Sequence, residues 1–148
     1  EAALRTAYHV VTGEPPRPDA FSEVRGLDGW KEATFDLAGT PVRVAVVHGL
    51  ANTAFLLDAI AEGAVEYDFV EVMACPGGCV GGGGQPIHEG EEWAAPRAGI
   101  LHGIDQKSAL RFSHENPSVK ACYENYLEAP LSEKAEKLLH TDQLTWDI

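Results

Sequence analysis

The chain is poorest in positive charge where its chemistry is concentrated. Residues 44–96 contain no lysine or arginine and eight acids, so they carry −8 of the net charge of −12. An acidic excess repels phosphate backbones and anionic lipid headgroups, which argues against nucleic acid and membrane surfaces as partners. No apolar run approaches the roughly 18 residues that a membrane-spanning helix needs, and no basic-then-apolar leader opens the sequence. Methionine occurs once, as Met73, so there is no initiator. Cysteine occurs three times, at Cys75, Cys79 and Cys122. That is too few for a disulfide framework and one short of a four-thiolate metal site.

What is present reads as a folded domain. The chain has 148 residues, 45% hydrophobic and 23% charged, ordinary values for one soluble core. Leu4, Ala7, Tyr8 and Val11 share one face of an opening helix, and nothing before them can cap it. Together with the absent initiator, this reads as a chain cut, processed or seen only in part. A proline-rich connection follows at Pro15, Pro16 and Pro18. Strand patterns over Ala33–Leu37 and Val42–Val47, around a turn at 38–41, predict a hairpin whose second strand is buried on both faces. Residues 49–63 read as a helix capped by Asn52 or Thr53, burying Phe55, Leu56, Ala59 and Ile60. A further strand over Tyr67–Met73 ends at Cys75, and strand–helix–strand predicts a βαβ crossover. Asn116–Pro117 opens a helix carrying Val119, Cys122, Tyr123, Tyr126 and Leu127, with Cys122 expected in the core. Ser132 caps another with Ala135, Leu138 and Leu139 inward. The expected fold is α/β, a mixed sheet flanked by helices with a helical C-terminal third. Residues 1–112 form the α/β part, and 113–148 a helical segment packing on it.

The informative segment runs Met73-Ala-Cys75-Pro-Gly-Gly-Cys79-Val-Gly-Gly-Gly-Gly-Gln85-Pro86, with six of the chain's 15 glycines between Pro76 and Gln85. Two thiols at a strand end can ligate one soft metal centre, and glycines let backbone approach a bulky group. Other readings fit less well. A phosphate loop needs a Gly-Lys-Ser/Thr that is absent, and the third glycine of the dinucleotide pattern falls on Pro86 or Ile87. Three residues separate the cysteines, which excludes the redox Cys-x-x-Cys motif. A Cys75–Cys79 disulfide, a zinc site with His88 as third ligand and no obvious fourth, and a flexible glycine linker remain open. The linker is weakened by its two cysteines and its Gln-Pro closure.

These residues carry a resemblance. Met73, Cys75, Gly78, Cys79, Gly82, Gly83, Gly84, Gln85 and Pro86 match the third signature motif of the FeFe (iron-only) hydrogenases. Residues 69–72, Ser113-His114-Glu115-Asn116 and the opening Glu-Ala-Ala-Leu-Arg-Thr also resemble that family's catalytic domain, so the likeness covers essentially the whole chain. It implies an H-cluster, a 4Fe–4S cubane joined through one cysteine sulfur to a diiron unit with CO, cyanide and dithiolate ligands. Under it Cys75 ligates the cubane, Cys79 ligates the cubane and bridges to the diiron unit, and Met73 packs against that unit. Cys79 and Met73 would be catalytic, while Gly78, Gly82, Gly83 and Gln85 complete the binding loop. The implied reaction interconverts molecular hydrogen with protons and electrons.

The family's other two motifs are absent, and a cubane on two thiolates would be labile. The chain is therefore expected to be one lobe of a two-lobed cluster-binding domain, inactive alone. Its expected partners are the N-terminal portion, on the same or a separate chain, and a redox carrier such as ferredoxin or a nicotinamide-linked subunit. The expected compartment is the cytoplasm, with the periplasm as alternative. Rival readings are a hydrogenase-like iron–sulfur assembly or sensory protein without hydrogen turnover, and a non-enzymatic subunit of an electron-transfer complex.

The remaining polar candidates have plainer readings. His48 follows a buried strand, where a hydrogen-bonded core histidine is the default, and Glu71 reads as a paired structural acid. His88 reads as a loop residue, His114 as a helix-start hydrogen bonder, and Glu89, Glu91 and Glu92 as a solvated run. Trp30, Trp93 and Trp146 show no stacking pattern.

Overall fold

β-Branched residues at consecutive positions make the central strand, and that strand organises the chain. A computed structural model describes residues 1–141, and Trp146 lies outside them. The chain divides into two compact units, Glu1–Ala109 and Leu110–Ile148.

In the first unit β1 (Trp30–Leu37) and β2 (Thr40–His48) form an antiparallel hairpin. Its two-residue turn, Ala38 and Gly39, has both φ values positive, at 55° and 87°. Such primed turns match the twist of the flanking strands, and Gly39 N donates to Asp36 Oδ1 at 2.7 Å. β3 (Phe69–Met73) runs parallel to β2, giving the mixed order β1-β2-β3. Parallel pairing requires a crossover, and α2 (Leu50–Ala61) supplies it. The fold is mixed α/β, as the hairpin and crossover patterns predicted.

β2 is the interior strand, and its alternation serves both faces. Val44 and Val46 pack with Leu4, Phe21, Val24, Phe35 and Leu37, where Phe21 meets Phe35 edge-on at 5.0 Å. Ala45 and Val47 pack with Leu56 of α2. The first face also receives α1 (Ala2–Thr12), which ends where Gly13 takes a left-handed conformation and donates to His9 O.

Three expectations fail here in detail. Val11 is 60% exposed, so the buried stripe of α1 stops at Tyr8. The N-cap of α2 is Gly49, because Asn52 and Thr53 turn their side chains back to the His48 and Gly49 carbonyls. Of the predicted α2 stripe only Leu56 is buried, while Phe55 is 66% exposed. A helix that sequence did not reveal, α3 (Ala94–Lys107), closes the unit.

In the second unit Asn116 caps α4 (Pro117–Cys122), its side chain accepting from Ser118 N. The helix widens into a π turn over Tyr123–Leu127. Ser132 Oγ caps α5 (Glu133–Leu139) by accepting from Ala135 N. Leu127 and Ala135 are buried. Cys122 is exposed, against the expectation that it lies in the core.

Candidate cofactor-binding site

The even-numbered face of β2 ends in His48, and the same face of β3 carries Glu71 and Met73. Register places Lys31, Val46 and Glu71 in one row across the sheet, and His48 beside Met73 in the next. Beyond that row the chain leaves the sheet. Gly77 and Gly78 both adopt left-handed φ, at 79° and 65°, and Gly78 N donates to Cys75 O at 2.9 Å. This reversal feeds a short 3-10 turn over Gly78–Gly81, which carries Cys79.

The reversal folds the loop over a cavity of about 820 Å³. Met73, Cys75, Gly78, Cys79, Gly82, Gly83 and Gln85 all line it, while Gly84 and Pro86 of the motif lie outside its lining. Cys75 is half-buried and Cys79 exposed, and both are free thiols. The glycines hold the space open. A Cβ on Gly78 would lie 2.6 Å from Met73 Sδ, and one on Gly82 would lie 3.6 Å from Cys75 Sγ. Gln85 closes the loop by donating Nε2 to Cys79 O at 3.0 Å.

Sequence reading missed four contributors. Arg97, on the first turn of α3, donates to Val80 O at 2.9 Å and to Pro86 O at 2.7 Å, bracing the loop from behind. Arg25, Lys31 and His102 line the cavity. Positive charge thus reaches the wall from outside the cation-free segment. Arg25 is held by Glu1 at 2.6 and 2.8 Å, and that hydrogen bond raises its pKa. Lys31 donates to Gly26 O at 2.6 Å, and burial pulls its pKa below the usual lysine range, with Asp28 and Glu71 opposing. The only signal in the sequence was position, since Arg97 is the first cation after residues 44–96.

The plainer candidates separate by position. His48 is buried, and its Nδ1 accepts from Gly77 N at 3.1 Å. His88 stacks on Trp93 at 4.5 Å, a pairing that corrects the expectation for Trp93. Glu91 accepts from Trp93 Nε1, and Glu92 from Ala94 N at the start of α3, so two of the three acids have structural partners. Among the described residues the one cluster of three potential metal-binding side chains is Glu1, Asp19 and Asp105, and Arg25 bridges all three.

The family model described as iron only hydrogenase large subunit, C-terminal domain, matches residues 1–83. This chain belongs to the iron-only hydrogenase family. A second model, iron hydrogenase small subunit, matches residues 91–142. The chain is 46% identical over 142 residues to the NADP-reducing hydrogenase subunit HndD of Solidesulfovibrio fructosivorans, covering 95% of this chain and 24% of that protein. It is 56% identical over 90 residues, 61% of its length, to 21% of the periplasmic Fe hydrogenase large subunit of Nitratidesulfovibrio vulgaris. A solved apo FeFe-hydrogenase HydA1 from Chlamydomonas reinhardtii superposes with a TM-score of 0.74 at 40% identity, over 95% of this chain and 42% of that one. Relatives named for iron–sulfur assembly also match: cytosolic iron-sulfur assembly component 3 of Mus musculus is 33% identical over 148 residues, 95% of this chain and 29% of that protein. The chain thus spans about a quarter of the length of the curated relatives it matches. Iron–sulfur chemistry is the common property of this family.

Proposed function

We propose that this chain is the C-terminal portion of an FeFe-hydrogenase catalytic domain, holding two of the cluster's cysteines. The observation that carries the reading is the convergence of both thiols, Met73 and the glycine loop on one cavity. The donor set suits the group: two soft thiols on a wall where added Cβ atoms would enter the space. When bound, an H-cluster supplies the interconversion of hydrogen with protons and electrons.

The chain's own residues bind, orient and shield. Cys75 and Cys79 would hold the cubane through their thiolates, and Cys79 would also serve the diiron unit. Met73 offers a polarizable thioether whose position Gly78 leaves clear. Gln85 and Arg97 fix the carbonyls of the loop, so the Cys79 backbone does not drift. Arg25 and Lys31 place cationic groups on a wall that receives anionic thiolates. The other cubane cysteines come from the N-terminal portion, on the same or another chain. A ferredoxin or a nicotinamide-linked subunit carries the electrons.

A second reading, iron–sulfur assembly or sensing without hydrogen turnover, is favoured by the likeness to the assembly component. Infrared spectroscopy of the full-length protein after maturation separates the two. Bands of metal-bound CO and cyanide are expected, and their absence alongside an intact cubane would establish the second reading. Cys79→Ser is expected to abolish the bands and hydrogen turnover together, and retained turnover would reject the assignment.

A further inference from the structure

His48 is 3% exposed at the end of an aliphatic strand. A buried imidazole is costly unless its nitrogens are used. Its backbone is fixed on both sides, since its N–H donates to Gly29 O and its carbonyl accepts from Asn52 Nδ2, each at 2.8 Å. The adjacent Gly49 N donates to Met73 O at 2.7 Å, locking the strand ends together. From this anchored position Nδ1 accepts the N–H of Gly77. Gly77 is the midpoint between Cys75 and Cys79 and sits at a φ of 79°, so this bond grips the reversal that spaces the thiols. A neutral ring that accepts at Nδ1 carries its proton on Nε2. Burial favours that neutral form, Lys31 adds to the effect, and Glu71 opposes it. With Nδ1 taken by Gly77, Nε2–H is the ring's remaining donor, on a residue that lines the cavity.

We propose that His48 is a positioning residue for the cluster thiols: Nδ1 holds the Cys75–Cys79 reversal in register, and Nε2–H supplies a donor that raises the reduction potential of a cluster bound there. The donor half rests on the iron–sulfur reading above, whereas the loop half does not. Hydrogen bonds to cluster sulfurs favour the reduced, more negative state, which sets the direction of the effect.

Two amide substitutions separate the halves. His48→Asn keeps an acceptor near the Nδ1 position and loses the distal N–H. His48→Gln keeps a donor near the Nε2 position and loses the proximal acceptor. Deuterium exchange is measured on the full-length protein produced without maturation, comparing the peptide over residues 75–85 with one over residues 44–47. His48→Gln is expected to speed exchange in the loop peptide by roughly 2- to 10-fold, the effect of one lost hydrogen bond, with the strand peptide unchanged. His48→Asn is expected to match the wild type. Equal loop exchange in all three proteins would overturn the loop half, as would acceleration of both peptides together, which signals general unfolding.

Redox titration of the cluster-loaded protein tests the donor half. His48→Asn is expected to lower the potential and His48→Gln to keep it near the wild-type value. An unchanged potential in His48→Asn would overturn the donor half. A wild type that takes up no cluster would overturn the iron–sulfur reading and the donor half with it, while exchange still decides the loop half.

Discussion

Two glycines of the loop, alike in sequence, differ in what a methyl group would meet. At Gly78 a Cβ meets Met73 Sδ, and the backbone is left-handed. Gly78→Ala is expected to cost about 1–2 kcal/mol from the backbone alone, read as a lower thermal midpoint of the cluster-free protein. At Gly83 a Cβ meets nothing within 4 Å. Gly83→Ala is expected to leave that midpoint unchanged and yet reduce iron content after maturation, because under the proposed function its methyl group takes space left for the bound group. Equal iron content in Gly83→Ala and wild type would remove Gly83 from the binding loop. Tyr67 offers a separate test of the sheet. Burial raises its pKa to about 12, and its hydrogen bond to Glu32 adds to the rise. Because the folded value exceeds the unfolded one of about 10, this contribution to stability is complete below pH ~10 and is lost as pH rises through about 12. Ultraviolet titration is expected to find one tyrosine ionising near pH 12, and Glu32→Gln should lower that value.

At the scale of elements, what was legible followed from periodicity and from motif. Val42–Val47 could be read as a two-faced strand because β-branched residues run without interruption, and Asn116–Pro117 because capping is local chemistry. The loop was legible through a long motif, most of whose residues line one cavity. α3 was not legible, since Pro96, Gly99 and Gly103 interrupt any apolar period with helix-averse residues. Its start is fixed instead by contacts distant in sequence, with Ala94 buried and Arg97 reaching back to Val80 and Pro86. The exposure of Cys122 was equally hidden, because helical spacing names a face and does not say what covers it. Arg97 is the testable hinge of this level. Arg97→Gln is expected to speed proteolysis within residues 84–92 several-fold, since the loop loses two charge-assisted bonds. Arg97→Lys should recover only part of the loss, an ammonium being unable to span both carbonyls in the same planar geometry. Cleavage rates equal to the wild type would sink the bracing role.

At the scale of the molecule, the first unit leaves large apolar side chains uncovered on three elements. Leu50, Phe55 and Leu57 of α2, Phe69 and Val72 of β3, and Ile100, Leu101 and Ile104 of α3 are all between 46% and 69% exposed. Under the proposed function, the N-terminal portion covers this apolar area. The 148-residue chain expressed alone is expected to bind a hydrophobic dye, and co-expression with the N-terminal portion to abolish that signal. A dye-silent isolated chain would count against a missing covering part. The parallel pairing of β2 with β3 also sets a timetable. Cys75 and Cys79 leave the ribosome close together, but the walls of their cavity come from positions as far apart as Glu1 and His102. Non-local closure through a crossover is slow compared with local turns. Each newly made chain therefore passes through an interval in which two free thiols exist without the cavity they line in the folded unit. Under the proposed function, loading waits for folding, and whatever delivers iron and sulfide meets a cavity already walled by β-strand, loop and α3 residues.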